Sequence, residues 1–216
     1  MARRICMSYP AGQEAVSFYN DRSIFSNFFT RPNLFTIESQ SFVSSLQYYE
    51  SVKAKILGFD DIEFKIKYTT DPKEIKDLGN FVERMAEKEK VCVWQTHKDA
   101  VMWKALCSKF GQNHDLLEAL VSTGKMLLVA ANPYDSYWGA GLHKNSSEIR
   151  DKRNWKLNKV GAMLEEIRDG EIEKRVLRER LEGIVETSVT ECLDDLSRQY
   201  KFGCRDWKNC DFDRCR

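Results

Sequence analysis

Nothing in this chain is apolar for longer than Met126 to Ala131, a run closed by Asn132-Pro133. That is far short of the roughly 20 residues a membrane-spanning helix needs. It suits one compact, buried strand, and no second run of that kind offers a large sheet a partner. Most other apolar residues recur at helical spacing instead. Ser44-Ser45 offer capping hydroxyls to Leu46–Leu57, where Tyr48, Tyr49, Val52 and Ile56 share a face. Asp71-Pro72 is a helix start. Thr96 caps a predicted helix to Phe110, Asn113 opens another to Val121 that stops at Thr123-Gly124, and Asn158 to Arg168 forms a third. Only Val16 to Tyr19 and Leu34 to Ile37 add short strands. The spacing therefore predicts a compact, helix-rich α+β domain with few short strands.

Composition removes several functions. Lys+Arg is 34 and Asp+Glu is 33 in 216 residues, a net charge of +1 that makes nucleic-acid binding a poor reading. The opening Met-Ala-Arg-Arg-Ile-Cys is followed by no apolar h-region, so the expectation is an intracellular protein, cytoplasmic or nuclear, with no membrane association. Seven cysteines are then reduced thiols, with Cys92 and Cys107 read as core residues. Cys192, Cys204, Cys210 and Cys215 crowd the tail at spacings unlike the usual zinc pairs, and His97, His114 and His143 share no ligand spacing, so no metal is expected. His97 and His114 read as surface residues at helix starts, whereas His143 could reach a pocket rim. Ile172, Val176, Leu181, Val185, Val189, Cys192 and Leu196 form a stripe through a charged background. This amphipathic helix over 172–196 either packs back on the domain or docks a protein partner or second copy.

Several clusters put polar and aromatic residues where a plain core would not want them. They are Phe25-Ser26-Asn27-Phe28; Ser44 to Ala54; Trp94 with Val101-Met102-Trp103-Lys104-Ala105-Leu106 and Lys109-Phe110-Gly111-Gln112-Asn113; Asp135-Ser136-Tyr137-Trp138-Gly139-Ala140-Gly141; and Asn158-Lys159-Val160-Gly161. In order and spacing the chain resembles the NADAR superfamily of YbiA-like proteins. The resemblance covers about 16–168, leaving 1–15 as an extension and 169–216 as the C-terminal helix and Cys-rich tail.

The resemblance implies N-glycosidic chemistry on ribosyl compounds, either ribosylamino intermediates of the early riboflavin pathway or ADP-ribose attached to guanine. It implies no metal and no organic cofactor. Breaking such a bond develops oxocarbenium character at the sugar, which calls for a nearby carboxylate, and an aromatic platform can stack on the base. Asp135 and Glu50 are the candidate catalytic carboxylates; Asn27, Lys53, Trp94, Trp138, Gly139 and Asn158 are candidate substrate contacts. Each has a plainer reading. Glu50 could be a solvated helix carboxylate paired with Lys53, Asp135 a turn residue, the tryptophans core, and Asn27 and Asn158 caps. Three charged positions of the family pattern are neutral here: Leu46 and Ala130 stand where it has Glu, and Asn80 where it has Arg; Gln47 stands where it has His. Glu50 lies one helical turn beyond Leu46 on the same face. Two functions follow: hydrolysis of an ADP-ribosyl or ribosylamino compound in an altered pocket, or a catalytically silent module that binds a nucleotide or a protein.

Overall fold

A computed structural model of the chain describes residues 6–8 and 14–180, with side chains over 14–175. The compact unit that carries the cavity is Met1–Leu177. Its strands are β1 (Cys6–Ser8), β2 (Glu14–Phe18), β3 (Phe35–Ile37), β4 (Gln40–Phe42) and β5 (Leu127–Ala130). The helices are α1 (Ser45–Leu57), α2 (Asp60–Tyr68), α3 (Pro72–Met85), α4 (Lys88–Gly111), α5 (His114–Val121) and α6 (Lys159–Arg180). Helices far outweigh strands, and the fold is helix-rich α+β.

The main sheet runs β1-β2-β5, with β1 antiparallel and β5 parallel to β2, so five helices lie between the two parallel strands. β3 and β4 form a hairpin whose turn residues Glu38 and Ser39 both have positive φ. On one face of the main sheet Phe18 and Leu128 join the large helical core; on the other, Ala15, Leu127 and Val129 pack on Ala140 and Ile149. The alternation along β5 is what a strand covered on both sides requires.

Helix α1 begins where Ser44 Oγ accepts the Gln47 amide and ends at Gly58, whose φ of 85° closes it with a left-handed turn. It lies between α2, α3 and α4 and is buried nearly all round, polar residues included. A buried polar side chain is costly without partners; Ser45 Oγ has no hydrogen bond, but Gln47 is fully partnered. Gln47 Nε2 donates to the carbonyls of Ile66, Lys67 and Thr69, capping α2, while its Oε1 accepts the Val43 amide. Asp71 caps α3, with Pro72 in the first turn.

Four local expectations are corrected. Thr96 does not cap a helix: α4 starts at Lys88, and Thr96 lies within it, its hydroxyl turned back onto the Val93 carbonyl. His97 is accordingly mid-helix. Cys107 is buried but Cys92 is half-buried, because Val93 and its neighbours ride the outer face of the lengthened α4 while Trp94 faces inward. The helix expected to stop at Arg168 continues to Arg180, since Arg168 is buried and donates to Thr123 Oγ1 and the Met126 carbonyl. The rest of the C-terminal stripe and the four tail cysteines lie outside the described residues. Among those described, no helix is long and apolar enough to cross a membrane, and no group of His, Cys, Asp or Glu could hold a metal ion.

Candidate active site

A cavity of about 360 Å³ opens at the carboxyl ends of the two parallel strands, where Phe18 ends β2 and Ala130 ends β5. Open sheets with parallel strands commonly bind ligands at this end, and the volume falls at the small end of the range for such sites. Ser26, Asn27 and Phe28 form one wall; Asp71, Lys73, Lys76 and Asp77 at the start of α3 form another. The loop after β5 supplies Asn132, Asp135, Trp138 and Gly139, and Val160 of α6 closes the floor.

The loop geometry follows from its residues. Asp135 Oδ1 accepts the amides of Tyr137 at 3.0 Å and Trp138 at 2.7 Å, folding the chain into a tight turn. A side chain on Gly139 would meet the carbonyls of Ala130 and Asp135, both at 3.0 Å, so glycine lets the turn pack closely on the strand end without displacing backbone. Trp138 is half-buried and meets Tyr49 edge-on at 5.4 Å and Tyr137 at 5.0 Å. Asp99 on α4 ties the loop down, accepting from the Tyr137 hydroxyl at 2.6 Å and from Lys159 Nζ at 2.8 Å. Burial, reinforced by the Asp99 carboxylate, pushes the Tyr137 hydroxyl up, so it stays a donor.

The opposite wall is pinned from two helices. The Asn27 carbonyl accepts the Leu46 amide at 2.9 Å, and the Ser26 carbonyl accepts from Lys109 Nζ at 2.8 Å. Lys109 is fully buried, its ammonium group 5.2 Å from the ring centres of Phe29 and Phe110. Burial, with Arg31 adding to it, brings its pKa down to about 7.

Of the residues singled out by sequence, Asn27, Asp135, Trp138 and Gly139 line the cavity. Glu50, Lys53, Trp94 and Asn158 lie behind its walls. Glu50 is wholly buried, its carboxylate 2.5 Å from Lys53 Nζ and 3.0 Å from Lys76 Nζ. Lys53 is as buried and also reaches Glu83 at 3.2 Å. Trp94 is a core residue that meets Tyr49 at 4.9 Å, two rings behind the cavity surface. Asn158 sits at φ 45° and treats β5 as a neighbouring strand would, accepting the Ala130 amide and donating to the Leu128 carbonyl. It thereby satisfies the free edge of the sheet. Leu46 packs in the main core, Asn80 is exposed on α3, and Ala130 lines the cavity. His143 stands edge-on to Tyr19, a lining residue. Sequence reasoning passed over Asn20, Asp21, Lys73, Lys76 and Asp77. The signal for Lys76 was its place one helical turn before Gly79, which puts both on the face of α3 that meets Glu50.

Fold and cavity together describe a helix-rich α+β domain whose strand-end cavity is lined by aspartates, amides, two lysines and four aromatic rings. Residues 17–170 match the NADAR domain family, and the chain belongs to that family. It is 31% identical over 206 residues to Protein irg-1 of Caenorhabditis elegans, covering 89% of this chain and 96% of that one. It is 32% identical over 134 residues to N-glycosidase R617 of Acanthamoeba polyphaga mimivirus, covering 61% and 76%. The solved structure of Escherichia coli YbiA shares the fold, with a TM-score of 0.58 at 22% identity over 86% of this chain and 95% of that one. The family function is that of an N-glycosidase-like domain.

Proposed function

We propose that this chain hydrolyses the N-glycosidic bond of an ADP-ribosyl or ribosylamino compound in the cavity at the strand ends. The observation that carries the reading is the convergence of Asp135, Trp138 and Asn27 on one cavity. Trp138 offers a face for the base. Asn27 can fix ribose hydroxyls. Asp135 has Oδ1 committed to the turn, and among the described residues no donor holds its Oδ2. Four aspartates line the cavity against two lysines, a field that favours positive charge developing on the sugar. Phosphates would then lie toward Lys73 at the exposed rim.

The test is release of free base, read by mass spectrometry, from ADP-ribosylated guanine, NAD and a ribosylaminopyrimidine phosphate. Asp135→Asn keeps the turn-forming oxygen and removes the charge, and it is expected to abolish release. Release that persists in Asp135→Asn rules out that carboxylate.

A second reading has a specific observation in its favour. Leu46 packs in the core and Ala130 offers only a methyl to the cavity, so two positions where the family pattern has carboxylates supply none. In this reading the chain binds a nucleotide without cleaving it. Quenching of tryptophan fluorescence by ADP-ribose, lost in Trp138→Ala and without base release from any of the three compounds, would support it.

A further inference from the structure

Resting on the hydrolase reading, we propose that Lys76 is a further catalytic residue that stabilises the departing base, with Glu50 as the positioning residue that holds its ammonium at the cavity wall. A wholly buried carboxylate is expensive unless it is paired, and Glu50 has two lysine partners. Lys53 is 1% exposed, shared with Glu83 and not among the residues that line the cavity. Lys76 has a side chain 38% exposed and lines the cavity while its Nζ reaches Glu50 Oε1 at 3.0 Å. The ammonium is thus held from behind by Glu50, on a side chain that lines the cavity. The chain makes room for this arrangement at Gly79, where any β-carbon would overlap the Glu50 carboxylate. Burial alone would lower the pKa of Lys76. The charge and hydrogen bond of Glu50 outweigh it, and the Asp135 charge adds to them, so the group is held above the usual lysine range.

The assignment divides the reaction between two walls. The bond from C1′ to the base nitrogen breaks with its electron pair leaving on the base. A water oxygen bonds to C1′, and its proton goes to the Asp135 carboxylate, then to solvent. The base leaves as an anion hydrogen-bonded to Lys76 and takes its proton from solvent. A strongly held ammonium suits this electrostatic role better than proton donation. A base that leaves neutral, such as the nicotinamide of NAD, develops no anion and needs no such stabilisation.

That difference supplies the test. NAD and ADP-ribosylated guanine share the ADP-ribosyl part, so any phosphate contact is common to both. Lys76→Met is expected to lower kcat for ADP-ribosylated guanine about 100-fold, the typical effect of removing one such donor, and for NAD less than about threefold. Lys76→Arg should recover part of the loss. Glu50→Gln should give a smaller loss on the guanine substrate alone, and Glu50→Gln with Lys76→Met removes the buried charge should the single variant fail to fold. Equal losses on both substrates, or a loss confined to KM, would overturn the role of Lys76 while leaving the hydrolase reading intact. No turnover by the wild-type chain of these two substrates or of the ribosylaminopyrimidine phosphate would sink both; turnover of the last alone would overturn the role of Lys76 in releasing guanine and keep the hydrolase reading.

Discussion

Gly79 lies in the middle of α3, a position where alanine is ordinarily better than glycine by about 1 kcal/mol. Here the reverse is expected. A β-carbon at Gly79 would overlap Cδ and Oε2 of Glu50. The end of a long side chain normally swings aside at little cost, but Glu50 has no exposed surface and is held between Lys53 at 2.5 Å and Lys76 at 3.0 Å. Moving it away breaks a buried ion pair, a loss of about 3–5 kcal/mol. Set against the helix gain, Gly79→Ala should lower stability by about 2–4 kcal/mol. In a Glu50→Ala background there is nothing to overlap, and the same substitution should raise stability by about 1 kcal/mol. Lys53 keeps Glu83 and Lys76 reaches solvent in that background, so the folded state remains assayable. Urea unfolding of the four proteins, followed by tryptophan fluorescence, gives the cycle. Effects of Gly79→Ala that agree within about 0.5 kcal/mol in the two backgrounds would refute the coupling, since that is the scatter of independent sites.

Two further outcomes are expected. Leu46→Glu places a carboxylate at a position 2% exposed in the main core and should lower stability by about 2–4 kcal/mol without raising turnover; an unchanged urea midpoint with faster base release would mean that a side chain at 46 turns into the cavity beside Asn27. Lys109 should give the chain a stability that rises with pH: its folded pKa of about 7 lies below the ordinary 10.5, so between those values the unfolded chain binds the extra proton. The slope from this one group is on the order of 1 kcal/mol per pH unit. Lys109→Met should lack that rise, its advantage over wild type growing as pH falls from 10.5 toward 7 and levelling below; an advantage independent of pH would contradict the burial argument.

Much of the fold was legible because local chemistry and tertiary need agree there. Ser44 caps α1 and Asp71-Pro72 opens α3 with the residues any helix would choose, and the apolar run before Asn132-Pro133 is a strand for want of a polar face. The missed elements lack such agreement. α2 has no side-chain cap and alternates Asp, Glu and Lys with single apolar residues, so only Ile66 betrays a buried face. The first half of α4 passes through Val91-Cys92-Val93, whose two β-branched valines weaken a helical reading until packing of Trp94 decides it.

The site was legible in its loops and opaque on its helices, and the reason is geometric. Asp135, Trp138 and Gly139 sit in a turn whose shape their own hydrogen bonds and missing side chain dictate, so their sequence order already specifies which wall they build. On α1 the periodicity places Leu46 and Glu50 on one face, but a helix buried nearly all round has no face reserved for a cavity. What a face meets is set by α3 and α4, which periodicity within α1 cannot see. The Glu50 carboxylate therefore ends behind the wall, and its charge reaches the cavity only through Lys76, a residue from another helix with no motif of its own. The spacing that makes the contact possible, Lys76 one turn before Gly79, becomes meaningful only once the two helices are known to cross. A buried carboxylate that looks misplaced for catalysis is, in that geometry, the group that determines where the cavity carries a fixed positive charge.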